Sequence, residues 1–162
     1  MSAIDPRHFR DTLGRFCTGV VVVTGIWRDT PVGFSAQSFL SLSLEPPLVA
    51  ICPARTSSTW PRLREAGSFC INVLADRQRS LCETFARSGQ DRFSGVAWRP
   101  ATSGAPVLDG VLAWIDCDLE LEHDGGDHTI AVGRVRDLEA RDAEGLPLLF
   151  FRGRYGSFDA EH

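Results

Sequence analysis

One run of residues, Val111–Glu122, limits the folds open to this chain more than any other. Val111, Ala113, Ile115, Cys117, Leu119 and Leu121 alternate with Leu112, Trp114, Asp116, Asp118, Glu120 and Glu122. A period of two over that length is a strand with one core face and one wet face, because successive side chains leave a strand on opposite sides. Asp124-Gly125-Gly126-Asp127 follows, residues that accept the backbone conformations of a tight turn. Thr129–Val135 is therefore expected to return as the antiparallel partner. A long hairpin of this kind argues for a mainly β fold.

The rest of the chain reads consistently with that. Val20–Thr24 is a β-branched run, a strand buried on both faces. Leu48–Cys52 and Phe69–Leu74 read as buried strands, and Leu148–Phe151 as a last core strand. Gly25–Pro31 reads as a turn, with Trp27 on the outgoing strand. Helices are few and short. Asp5-Pro6 caps and starts one whose apolar face is Phe9, Leu13 and Phe16. Trp60-Pro61 opens a second that stops near Gly67, and Asp76 caps a third carrying Leu81 and Phe85. Polar loops are expected at 90–105 and 141–145. Many strands with few helices predict a closed or nearly closed antiparallel barrel, in one domain spanning 1–162.

Composition narrows the function classes. The net charge of −4 carries no basic field for nucleic acid. No apolar run approaches the roughly 20 residues of a membrane span, and the charged start MSAIDPRHFRD lacks the apolar centre of a signal peptide. A cytoplasmic protein is expected. The five cysteines, Cys17, Cys52, Cys70, Cys82 and Cys117, are odd in number and form no CxxC, which reads as reduced thiols. There is no GxGxxG, no P-loop and no nucleophile elbow. His123 and His128 are five residues apart across a tight turn with no third ligand group, so no metal site is expected.

The stretch Pro31–Pro53 carries the chemistry. After a Gly-marked turn come the small polar residues Ser35, Ala36, Gln37 and Ser38. A segment of this kind leaves backbone N–H groups open to a flat ring, or simply permits close strand packing. Leu40, Leu42 and Leu44 then share one face of a strand, with Phe39, Ser41 and Ser43 on the other. Arg55, Thr56, Ser57 and Ser58 bring charge, hydroxyls and N–H groups to a helix start, a phosphate-binding combination; a capped surface loop is the alternative reading.

The pattern G-x-S-A-x-S-F-x-S-L-S-x-x-P-P-L in this stretch resembles the signature of the short-chain flavin reductases. Thr18–Thr24, Phe69–Leu74, Gly126-Asp127-His128 and Pro147–Tyr155 resemble other motifs of that family, in its order, from about Asp5 to Tyr155. The likeness is greatest to reductases that serve monooxygenases of aromatic or steroid-ring degradation. It implies a split β-barrel, a homodimer with flavin near the subunit interface, and an oxidoreductase. That enzyme would pass hydride from NADH (or NADPH) to FAD or FMN and supply reduced flavin to a separate oxygenase. It also implies the roles of particular residues. Ser35–Ser38 would meet the flavin ring edge. Cys52, Pro53 and Ala54 would lie along the ribityl chain, and Arg55–Ser58 at the flavin phosphate. Arg92-Phe93 would stand near the flavin, His128 at the nicotinamide side, and Tyr155 on the segment that closes over the nucleotide. A split barrel that holds flavin without turnover is the alternative function, and a pyridoxamine-phosphate-oxidase-like enzyme fits the motifs less well.

Overall fold

The computed structural model describes residues 4–89, 91–141 and 145–159. Residues 142–144 of the loop expected at 141–145, and Gln90 of the stretch at 90–105, lie outside that description. The strands are β1 (Thr18–Gly19), β2 (Val21–Trp27), β3 (Thr30–Ala36), β4 (Leu40–Ser43), β5 (Leu48–Ile51), β6 (Ser68–Val73), β7 (Trp98–Pro100), β8 (Pro106–Leu108), β9 (Ala113–Gly125), β10 (His128–Ala140), β11 (Leu148–Phe151) and β12 (Arg154–Ser157). The helices are α1 (Pro6–Leu13), α2 (Trp60–Ala66) and α3 (Arg79–Ala86), the last preceded by a 3-10 turn at Asp76–Gln78.

Seven strands form one antiparallel sheet in the order β3-β2-β6-β9-β10-β5-β4. Val21, Val23, Val32, Val49, Ile51, Phe69, Ile71, Cys117 and Ala131 meet in a single buried cluster with Trp60 and Leu63 of α2. Residues of β2 and β3 therefore share one core with residues of β5 and β10, so the sheet curls around its inner face. Its edge strands β3 and β4 do not pair with each other. The barrel is split, as the family resemblance implied, and so falls at the nearly closed end of what the strand count suggested. The pattern of strands along the chain cannot decide this, because closure requires two particular edges to meet.

The outer face is covered only in part. Val20, Val22, Cys70, Leu74 and Trp114 pack there under Cys82 and Phe85 of α3 and under Val107, Leu108 and Leu148. The Val20–Thr24 run is thus buried on both sides, as its composition predicts. The wet face expected at Trp114 and Asp116 is buried instead, because residues 97–108 fold over it. Asp116 is fully buried and accepts hydrogen bonds from the Ser103 N–H (2.8 Å) and hydroxyl (2.5 Å).

The long hairpin forms, with only Gly126 and Asp127 between the paired residues Gly125 and His128. Gly126 has φ 77°, the conformation that favours glycine at the first central position of such a turn. The hairpin's register shifts at two places, at Glu120 on β9 and at Arg136 on β10, and the first matters for the site. Val132 faces Leu121 but the next residue, Gly133, faces Leu119, so Glu120 is a β-bulge. Past the bulge the faces exchange: Leu121 turns outward and Glu122 turns in toward α2.

Other expectations shift for local reasons. Trp27 ends the incoming strand, and the turn is Arg28-Asp29, both at positive φ. Gly33 lies inside β3 and not at a turn; a Cβ there would stand 2.9 Å from Val23 O and 3.0 Å from the Phe85 ring. β11 joins a separate three-stranded sheet, β1-β11-β12. α1 has its predicted Asp5 cap, but Phe9 and Leu13 stay exposed, as does Phe16, which lies past the helix end.

Candidate functional site

One cleft of ≈ 620 Å³ gathers most of the residues singled out above: Ser35–Ser38, Cys52, Pro53, Ala54, Ser57, His128 and Tyr155. Their convergence has a backbone cause. β3 delivers Ser35 and Ala36 at its end. Ser38 is bound across to the end of β5, accepting from Cys52 N–H (3.0 Å) and donating to Cys52 O (3.3 Å). The segment after β5 then runs beside the hairpin tip: Thr129 N–H donates to Pro53 O (2.9 Å) and Arg55 N–H to Asp127 O (2.9 Å), pairing Ala54 with His128. The small residues 35–38 and the imidazole thus border one space although they are about ninety positions apart in the chain.

The apolar wall of the cleft was not legible in the sequence. Val20, Phe34, Cys82, Ala86 and Phe150 complete it. Cys82 and Ala86 are small residues one turn apart on α3, a spacing that could have flagged a helix face leaving room for a ligand.

His128 is half exposed, and its Nδ1 lies 2.7 Å from Asp127 Oδ1. That bond holds the Asp127 carboxyl below the usual carboxylate range. It also fixes the ring and leaves Nε2 for a ligand. Tyr155 packs edge-on against Phe150, lies under the Arg79 guanidinium and makes a 3.4 Å contact with Cys82 Sγ. The thiol contact and burial push its phenol up to about 12, so the hydroxyl stays protonated.

Two further cavities continue from the cleft. The first, ≈ 270 Å³, shares Phe34, Ser35 and Ser57 with it and adds Thr56, Ser58, Thr59, Ser88 and Arg92. The second, ≈ 400 Å³, shares Ser58, Thr59 and Arg92 and adds Arg62, Asp91 and Phe93. Ser57 Oγ caps α2, accepting from Trp60 N–H at 3.1 Å. Arg92 donates to Gly33 O and to Thr59 Oγ1 (3.2 Å), and Phe93 packs on Phe85. Burial, and then the Arg62 charge, lower the pKa of Arg92 from its usual value. Arg55 alone turns away: its Nε donates to Gly126 O (2.6 Å) and its Nη2 pairs with Asp124.

The residues present suit a flat ring with a phosphorylated tail. A small-residue edge and apolar walls border the cleft, and four consecutive hydroxyl residues and two arginines line its extension.

Comparisons with known proteins identify the family. Residues 13–159 match the model of the flavin reductase like domain. The chain is 51% identical over 159 residues to the reductase subunit HsaB of a flavin-dependent monooxygenase from Rhodococcus jostii, covering 98% of this chain and 81% of that protein. The crystal structure of nitrilotriacetate monooxygenase component B from Mycobacterium thermoresistibile superposes with a TM-score of 0.92 at 44% identity, over 94% of this chain and 86% of that one. The NADH:FAD oxidoreductase SgcE6 of Streptomyces globisporus, solved with NAD and FAD fragments, gives a TM-score of 0.89 at 35% identity over 98% of both chains.

Proposed function

The chain belongs to the flavin reductase like domain family, and from that premise we propose how its cleft holds and reduces flavin. The protein is an oxidoreductase, the reductase component of a flavin-dependent monooxygenase, and supplies reduced flavin to a separate oxygenase component. The observation that carries the site reading is the single cleft bordered by Ser35–Ser38, residues 52–54, Ser57, His128 and Tyr155.

Flavin bound there supplies the electron-accepting ring, so the chain needs no acid, base or nucleophile of its own. Its residues bind and orient. Backbone N–H groups of 35–38 face the ring's polar edge, while Val20, Phe34, Ala86 and Phe150 exclude water from its body. Thr56, Ser57 and Ser58 take the first phosphate at the α2 start. His128 stands at the nicotinamide side, with Nε2 directed to the donor. Tyr155 closes the opposite wall with a neutral hydroxyl.

NADH is the donor and FAD the preferred flavin in this reading. FMN fills only the cleft and the first cavity. The second cavity, with Arg62 and Arg92, has the charge and size for a second phosphate and its nucleoside. Two arginines whose charges oppose each other are relieved by an anion between them.

The test is NADH oxidation followed by absorbance, with FAD or FMN in air, together with flavin affinities from fluorescence. We expect flavin-dependent turnover and FAD binding about tenfold tighter than FMN, a preference that Arg92→Ala removes. A protein that stays yellow through gel filtration and oxidises no NADH is instead a flavin-holding barrel.

A further inference from the structure

We propose that Arg55 is a positioning residue that latches the tip of the β9–β10 hairpin and so holds His128 at the mouth of the cleft. The inference deepens the flavin-reductase reading and rests on it for the role of His128.

Residues 123–128 at the tip are all exposed, so no packing fixes where the tip stands. Polar bonds must do so: Thr129 N–H donates to Pro53 O at the base of the tip, and the bonds to the turn itself converge on one residue. Arg55 binds the turn three times: its N–H to Asp127 O, its Nε to Gly126 O, and its Nη2 to the Asp124 carboxylate. Asp124 Oδ1 also accepts from Gly126 N–H at 3.1 Å, so the carboxylate that Arg55 engages is the one that closes the turn. Arg55 holds the Asp124 carboxyl below its usual range. The next residue, Asp127, carries the bond to His128 Nδ1. A chain of direct contacts therefore runs from Arg55 to the imidazole.

A second clamp lies one step deeper. Glu122, turned inward by the bulge at Glu120, accepts from Trp60 Nε1 (2.8 Å) and pairs with Arg64 Nε (2.7 Å). Glu122 anchors the shaft of the hairpin to α2, and Arg55 anchors the tip. The guanidinium suits this task because its planar fork reaches a carbonyl and a carboxylate at once, which an ammonium does not.

The experiment compares wild type, Arg55→Ala, Arg55→Lys and Asp124→Asn. It measures the Michaelis constant for NADH, kcat, and the dissociation constants of FAD, FMN and riboflavin. We expect Arg55→Ala to raise the constant for NADH about tenfold and to leave flavin affinity within about twofold. Arg55→Lys falls between, since charge remains without the fork. Asp124→Asn moves the same way by less, because Asn keeps an acceptor for Gly126 N–H. Hydrogen exchange should speed at the amides of residue 55 and Thr129 in Arg55→Ala while β6 amides stay protected, which separates a released tip from an unfolded protein. A loss of FMN affinity much larger than that of riboflavin would instead make Arg55 a phosphate ligand and overturn the latch. An unchanged NADH constant with unchanged exchange overturns it as well. If wild type oxidises no NADH the reductase reading fails, and exchange at those two amides still decides whether Arg55 holds the tip.

Discussion

At the residue scale, the site depends on what each side chain is already bonded to. His128 has Nδ1 committed to Asp127, so in the proposed reading Nε2 is the ring nitrogen that meets the donor nucleotide. His128→Ala is expected to raise the Michaelis constant for NADH by about tenfold and flavin constants far less; equal losses for both would remove it from the nicotinamide side. The hydroxyls divide in the same way. Ser38 is spent on Cys52, and Ser57 caps α2. In the proposed reading their contribution to a flavin comes through the backbone they order. Chemistry was legible residue by residue: small polar 35–38, hydroxyl-rich 56–58, the Gly-Asp-His turn. Which atoms were still available was not, because that is set by partners far away in sequence. Arg55 illustrates the difference. Its type and neighbours fit a phosphate, yet Asp124 and Gly126, some seventy positions on, occupy its guanidinium.

At the element scale, the hairpin shows how a single inserted residue redirects a pattern. The alternation through Leu119 is obeyed, with Cys117 and Leu119 facing inward. The bulge at Glu120 then exposes Leu121 and delivers Glu122 to Trp60. A run of alternating residues cannot announce that bulge, because the alternation itself continues past it. Close approach is the other local determinant. A Cβ on Gly133, opposite Leu119, would stand 2.8 Å from the Phe69 ring tip and 3.0 Å from Cys117 Cβ, both residues fully buried. Gly133→Ala gains ~0.4–1 kcal/mol by stiffening the unfolded chain. Overpacking costs about 1–3 kcal/mol. The clash wins, so the urea midpoint should fall with an unchanged slope. A midpoint at or above wild type would mean that the inner face relaxes more freely than its burial suggests.

At the scale of the whole molecule, the outer face of β4, β5, β10 and β9 is the unfinished part. Leu40, Ala50, Val132 and Leu121 stand opposite one another across the four strands, and Ile130 lies on the same face. Leu40 and Leu121 are 46% and 43% exposed, and α3 and residues 97–108 cover only the other half of this face. The stripe runs on, two residues at a time, to Cys52 and His128 at the cleft. A second copy of the chain would bury it and close the cleft's open side. We therefore expect a dimer in light scattering, with Leu121→Arg giving a monomer of weakened flavin affinity. A wild-type monomer that turns over flavin at full rate would contradict this. The sequence by itself determined the core strands β5, β6 and β11, the hairpin, the doubly buried β2 and the residue types of the site. These rest on periodicity and side-chain chemistry, which are local. Only the tertiary structure decided that residues 97–108 cover the supposed wet face, that Leu121 faces out, and that the Arg55 guanidinium bonds to the hairpin turn. Each of those depends on which distant segments meet, and a one-dimensional pattern does not contain that information.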